Sequence, residues 1–73
     1  SADEYARLAS EFPRQPGVLT KVDPRTGVTR VYDPATNTFG AYNPDGSTRT
    51  FYKPDPARHG YPTNLDYWNA QAG

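Results

Sequence analysis

The run Thr48-Arg49-Thr50-Phe51-Tyr52-Lys53 places two aliphatic hydroxyls, a phenol and two cations on six consecutive residues. Such a set can handle a phosphodiester. Thr50 can donate to a phosphate or orient a ribose hydroxyl. Arg49 and Lys53 can neutralise phosphate charge. Tyr42 or Tyr52 can stack on a base, with Thr48 beside them. His59 is the single histidine, and a histidine can act as acid or base near neutral pH. Each of these has a plainer account. Thr and Tyr suit strands, and His59 sits between Pro56 and Pro62 in what reads as an exposed loop. A site built from one histidine and no cysteine is a poor metal site. No P-loop, dinucleotide fingerprint or zinc spacing is visible, so no cofactor and no metal ligands are expected.

The elements that must hold these residues are marked by prolines. Pro24, Pro34, Pro44 and Pro54 lie ten residues apart, and the first three follow Asp23, Asp33 and Asn43. Asx before Pro starts a type I turn, because the side chain accepts from the backbone and Pro presets φ. Gly27, Asn37 and Gly46 follow, each tolerant of positive φ. Between the turns lie β-rich runs over 18–22, 28–32, 38–42 and 48–53. Turns at this spacing predict a four-stranded antiparallel meander. A type I turn with Gly46 in a bulge sets Phe39 opposite Phe51, Gly40 opposite Thr50 and Thr38 opposite Tyr52. Phe39, Ala41 and Phe51 then share the face that receives a helix. Thr38, Gly40, Tyr42, Thr48, Thr50 and Tyr52 share the other. Gly40 opposite Thr50 leaves room there for a ligand to approach the backbone.

The helix is N-terminal. Ser1 with Glu4 fits a capping box, and Tyr5, Leu8, Ala9 and Phe12 follow helical spacing until Pro13. Leu8 and Phe12 are expected to dock it on the sheet. Beyond Lys53 the prolines predict an irregular tail. One helical turn is expected at 64–68, capped by Asn64, with Leu65 and Trp68 against the sheet edge. The last residues are expected to fray. The expected class is therefore α+β.

With 73 residues, the chain is one small domain. Such domains bury only about 60% of their unfolded surface. Hydrophobic residues make up 34% and mean hydropathy is −0.93, thin for a self-sufficient core. Missing disulfides and metal sites remove the usual staples. A larger unit or a partner is expected to supply stability. Formal net charge is zero, so no global field draws the chain to nucleic acid. No apolar run has transmembrane length, and no membrane insertion is expected.

Three stretches carry a family resemblance. "SADEYARLASEF", "YDPATNTFGAYNPDGSTRTFYKPD" and a closing "YWNAQ" together resemble the C-terminal module of bacterial polymorphic or contact-dependent inhibition toxins. The resemblance is to the barnase–EndoU–colicin–RelE-like ribonuclease superfamily. It implies helices followed by a four-stranded antiparallel sheet, and metal-independent cleavage of RNA, often tRNA. It also implies secretion or delivery from the producing bacterium, action in the target-cell cytoplasm, and a cognate immunity protein as partner. Arg49, Thr50, Phe51 and Lys53 match the family's last strand. The resemblance puts Thr50 on phosphate or ribose, Lys53 or Arg49 as charge, and Phe51 in the core. In that family a helix with a His/Lys motif precedes "SADEY". An upstream segment is therefore an expected partner, and residues 1–73 alone are expected to be catalytically incomplete.

Two rivals remain. A non-catalytic module could use the aromatic meander to bind a protein or a carbohydrate. A toxin with a different activity, such as cleavage of DNA, would share the same architecture.

Overall fold

The computed structural model describes residues 2–71, with the backbone alone for Tyr5. The expected cap at Ser1, the side chain of Tyr5 and the terminal residues 72–73 lie outside that description. Helix α1 (Ala2–Glu11) runs into a 3-10 turn (Phe12–Arg14) at Pro13, as the proline requires. Strands β1 (Leu19–Val22), β2 (Thr29–Asp33), β3 (Thr38–Tyr42) and β4 (Thr48–Tyr52) follow. They form one antiparallel meander in chain order, the predicted topology. Helices α2 (Pro56–His59) and α3 (Asn64–Ala70) complete the chain. The tail is thus more regular than its prolines suggest. The expected Asn64 cap is corrected by one residue: Thr63 Oγ1 accepts from Asp66 N at 3.0 Å.

The first two turns behave as the Asx-Pro pairs require. Asp23 Oδ1 accepts from Arg25 N at 2.9 Å, and Asp33 Oδ1 accepts from Ala35 N at 3.0 Å. The third is built differently. Asp45 Oδ1 accepts from Ser47 N at 2.9 Å, while the Asn43 amide donates to Ser47 Oγ at 3.0 Å. Gly46 N donates to Asn43 O, and Gly46 sits at φ 90°, where a Cβ would be strained.

The register of β3 and β4 departs from the expected one. Tyr42 pairs with Thr48, but Ala41 pairs with Thr50, Gly40 with Phe51 and Phe39 with Tyr52. Arg49 is therefore an extra residue, a second bulge beyond the one at Gly46. Beyond a one-residue slip every side chain changes face. Phe51 thus joins Gly40 and Tyr42, while Thr50 and Tyr52 join Phe39 and Ala41. The bulge also parts Thr48 from Thr50.

The sheet is covered on both faces. Under α1 lie Phe12, Val31 and Tyr42, with Val18 and Phe51 packed alongside. Phe12 meets Phe51 edge-on at 5.5 Å. The Tyr42 hydroxyl donates to Ala9 O at 2.5 Å, tying sheet to helix. Leu8, expected in this contact, is 60% exposed. On the opposite face Val28, Tyr32, Phe39, Ala41 and Trp68 form a second cluster under α3. Phe39 is in this cluster, so its expected place beneath the N-terminal helix is corrected. Trp68 packs on the face of the sheet rather than its edge: its ring lies 6.0 Å from Tyr32 and 5.9 Å from Phe39. Lys21 secures the end of α3. Its Nζ donates to Trp68 O at 2.8 Å and Gln71 O at 3.2 Å, and lies 4.6 Å from the Trp68 ring centroid. A cation is favoured at the carbonyl end of a helix.

The space expected above Gly40 is filled. A Cβ there would lie 2.9 Å from the Tyr42 ring and 3.2 Å from Phe12. Gly40→Ala is expected to destabilise the domain by about 1–3 kcal/mol through overpacking, measured by urea denaturation. An unchanged midpoint would restore the open cleft. Trp68→Ala should cost about 3–5 kcal/mol as a buried aromatic. Leu65→Ala, at a residue 48% exposed, should stay within about 0.5 kcal/mol.

Candidate functional site

After Tyr52 the chain passes through Lys53, Pro54 and Asp55 into α2. The Asp55 carboxylate caps that helix, accepting from Ala57 N at 3.0 Å. Gly60, at φ 80°, ends it, and its N–H donates to Pro56 O. The turn brings Tyr61 N within 3.1 Å of His59 Nδ1. A backbone N–H can only donate, so Nδ1 is an acceptor and the imidazole carries its proton on Nε2. Nε2 then donates to Asn64 Oδ1 at 2.9 Å.

The ring of His59 lies flat on Tyr67, with centroids 4.3 Å apart and planes inclined by 6°. The Tyr67 hydroxyl meets the Tyr52 hydroxyl at 2.5 Å. One path of contacts therefore joins β4, α3 and α2. Burial pushes the Tyr52 phenol well above its ordinary pKa of 10.0, with the Tyr67 hydrogen bond adding to the rise. Tyr52 thus stays protonated throughout the physiological range. Between these elements lies a cleft of about 420 Å³, lined by Tyr52, Lys53, Asp55, Arg58, His59 and Tyr67.

The β2–β3 turn holds the exit of β4 in place. Lys53 Nζ donates to Thr36 O at 2.8 Å and Thr38 Oγ1 at 3.3 Å. Asn37, expected only as a residue tolerant of positive φ, does sit at φ 53°. Its side chain does more. Oδ1 accepts from the Tyr32 hydroxyl and Nδ2 donates to Pro54 O, both at 3.0 Å.

The structure brings Tyr52, Lys53 and His59 together and sets the other expected site residues apart. Thr50 shares the Tyr52 face, two residues away and about 7 Å along the strand. Arg49 is exposed at the bulge, and Thr48 is exposed near the hairpin tip. Tyr42 is buried with its hydroxyl committed to Ala9, so it offers no face to a base. Arg58, Tyr67 and Asp55 are additions that sequence reasoning did not place in a site. Asp55-Pro56 followed by Gly60 was a readable helix start and stop. The Tyr67 contact depends on tertiary packing and had no local signal. Among the described residues no group of three His, Cys, Asp or Glu side chains is placed to hold a metal ion. No family model matches the chain, and no curated protein sequence matches it.

The raised Tyr52 pKa makes a stability prediction. The folded state holds its proton more tightly than the unfolded chain, so this contribution is complete below about pH 10 and lost as pH rises beyond it. Tyr52→Phe should flatten the alkaline fall in stability, measured by denaturation between about pH 9 and 12. Tyr32 is shifted upward as well, chiefly by burial. Part of the slope should therefore survive in the variant.

Proposed function

We propose that this chain is part of an interbacterial toxin that cleaves RNA, tRNA foremost, by attack of a ribose 2′-hydroxyl on the adjacent phosphate. The observation that carries this reading is the cleft lined by Lys53, Arg58, His59 and Tyr52. Each is a donor or a cation, the set that a crowded, anionic phosphorane needs. Asp55, the carboxylate on the same cleft, is occupied in capping α2.

The roles follow from the atoms. With Nδ1 held by Tyr61 N, the His59 Nε2–H exchanges Asn64 Oδ1 for a non-bridging phosphate oxygen, and so acts as a donor rather than as the base. Arg58 faces the same charge. As the 2′-oxygen bonds to phosphorus, the bond to the 5′-oxygen breaks, and the Lys53 ammonium delivers a proton to that leaving oxygen. Thr50, next along the Tyr52 face, contacts the ribose side. The base that takes the 2′-hydroxyl proton is supplied by the upstream segment that the family resemblance implies. The resemblance also supports the biological setting: delivery from the producing bacterium, action in the target cytoplasm and restraint by an immunity protein.

A binding-module reading has one observation in its favour. An apolar groove of about 590 Å³ runs between α1 and β4, with Leu8, Phe12, Pro16 and Phe51 on its walls. The two readings separate on cleavage. The toxin module carrying the residues upstream of Ser1 is expected to cleave tRNA in vitro. Lys53→Ala should lower the rate by about 10²–10⁴-fold and His59→Ala by about 10²–10³-fold. An RNA pool left intact while the module is expressed and toxic would overturn the ribonuclease reading.

A further inference from the structure

We propose that Tyr61 is a base-stacking subsite that holds an unpaired nucleotide beside the phosphate bound at Lys53, Arg58 and His59. This rests on the reading of that cleft as an RNA site, and extends it to a part of the surface not used above.

Tyr61 is the exposed member of a three-ring group. Its centroid lies 5.7 Å from His59 and 6.0 Å from Tyr67, while those two rings stack on each other. Tyr61 nevertheless remains 41% exposed, unlike Tyr32 and Tyr42, which are buried. A large aromatic that has packing partners and still keeps an open surface is shaped as a platform.

Its position is determined by the backbone. Gly60 in the left-handed region turns the chain out of α2, and Pro62 holds Tyr61 to extended conformations. The Tyr61 N–H donates to His59 Nδ1. One dipeptide step thus places the His59 imidazole and an aromatic ring side by side. Arg58 precedes them on the same turn. Cations that follow a phosphate backbone, interleaved with rings that accept bases, are how single strands are bound. A duplex keeps its bases stacked inside and offers none to such a ring. The subsite therefore requires an unpaired nucleotide, as in a loop or a single-stranded end.

The inference separates cleanly from cleavage. Binding is measured with fluorescein-labelled 2′-O-methyl hexanucleotides, which lack the attacking hydroxyl and cannot be cut by this route, and with the same sequence as a duplex. Wild-type protein is expected to bind the single strand and to prefer it over the duplex. Tyr61→Ala should weaken single-strand binding by roughly five- to a hundredfold, the range for losing one aromatic platform. Tyr61→Phe should retain the affinity, since the ring and not the hydroxyl is used. In both variants the backbone N–H still reaches His59, so its tautomer and position persist. Equal thermal midpoints would confirm that folding is intact. Equal single-strand affinity in wild type and Tyr61→Ala would overturn the subsite, as would a wild-type protein that binds no hexamer. Binding lost in Tyr61→Ala, from a module that cuts no RNA, would leave the subsite standing and remove the ribonuclease reading. Cleavage with Tyr61→Ala binding unchanged would do the reverse.

Discussion

The extra residue at Arg49 governs how this sheet is used. Without it, Phe39 would pair with Phe51 and both would face one helix. With it, Phe51 turns to α1 and Tyr52 turns to α3. Each face of β4 then supplies an aromatic to a different core. A chain of 73 residues with 34% hydrophobic content can thereby bury apolar groups on both sides of one sheet. Bulges re-aim side chains next to sites, and here the re-aimed residue is Tyr52, which reaches Tyr67 and through it His59.

The two cores have different contents. Beneath α1 the contact is tight enough to require glycine at position 40, where Tyr42 folds over the backbone and meets Phe12. Beneath α3 the contact is aromatic: Trp68 stacks on Tyr32 and meets Phe39 edge-on. Lys21 then fastens the carbonyl end of α3 to β1. This matters for the cleft because Tyr67 belongs to α3. Whatever positions Trp68 also positions the ring against which His59 lies.

The β2–β3 turn is a second anchor. Lys53 and the Pro54 carbonyl are both held by residues 36–38. The exit of β4 is thus fixed by a turn distant in sequence, and α2 starts from a defined point. Residues that a single-turn helix could not orient by itself gain their geometry from this frame. Short isolated helices are unstable in water, and most helical stability in proteins comes from packing.

Turn chemistry was legible in the residues themselves. The carboxylates of Asp23 and Asp33 accept from the backbone two residues on, and Gly27, Asn37 and Gly46 all adopt positive φ. Those interactions span two to four residues, so the four strands and their order follow from sequence alone. The site was legible in part. Lys53, Tyr52 and His59 come together, while Tyr42, expected to meet a base, is a buried tie between sheet and helix. Which face each side chain takes depends on a single inserted residue, and the pleat converts that into a reversal of the whole strand. Nothing in "TRTFYK" distinguishes Arg49 as the residue left over. The shifted register is the one that sets Phe51 against Phe12 on one face and Tyr52 against Tyr67 on the other, partners far along the chain.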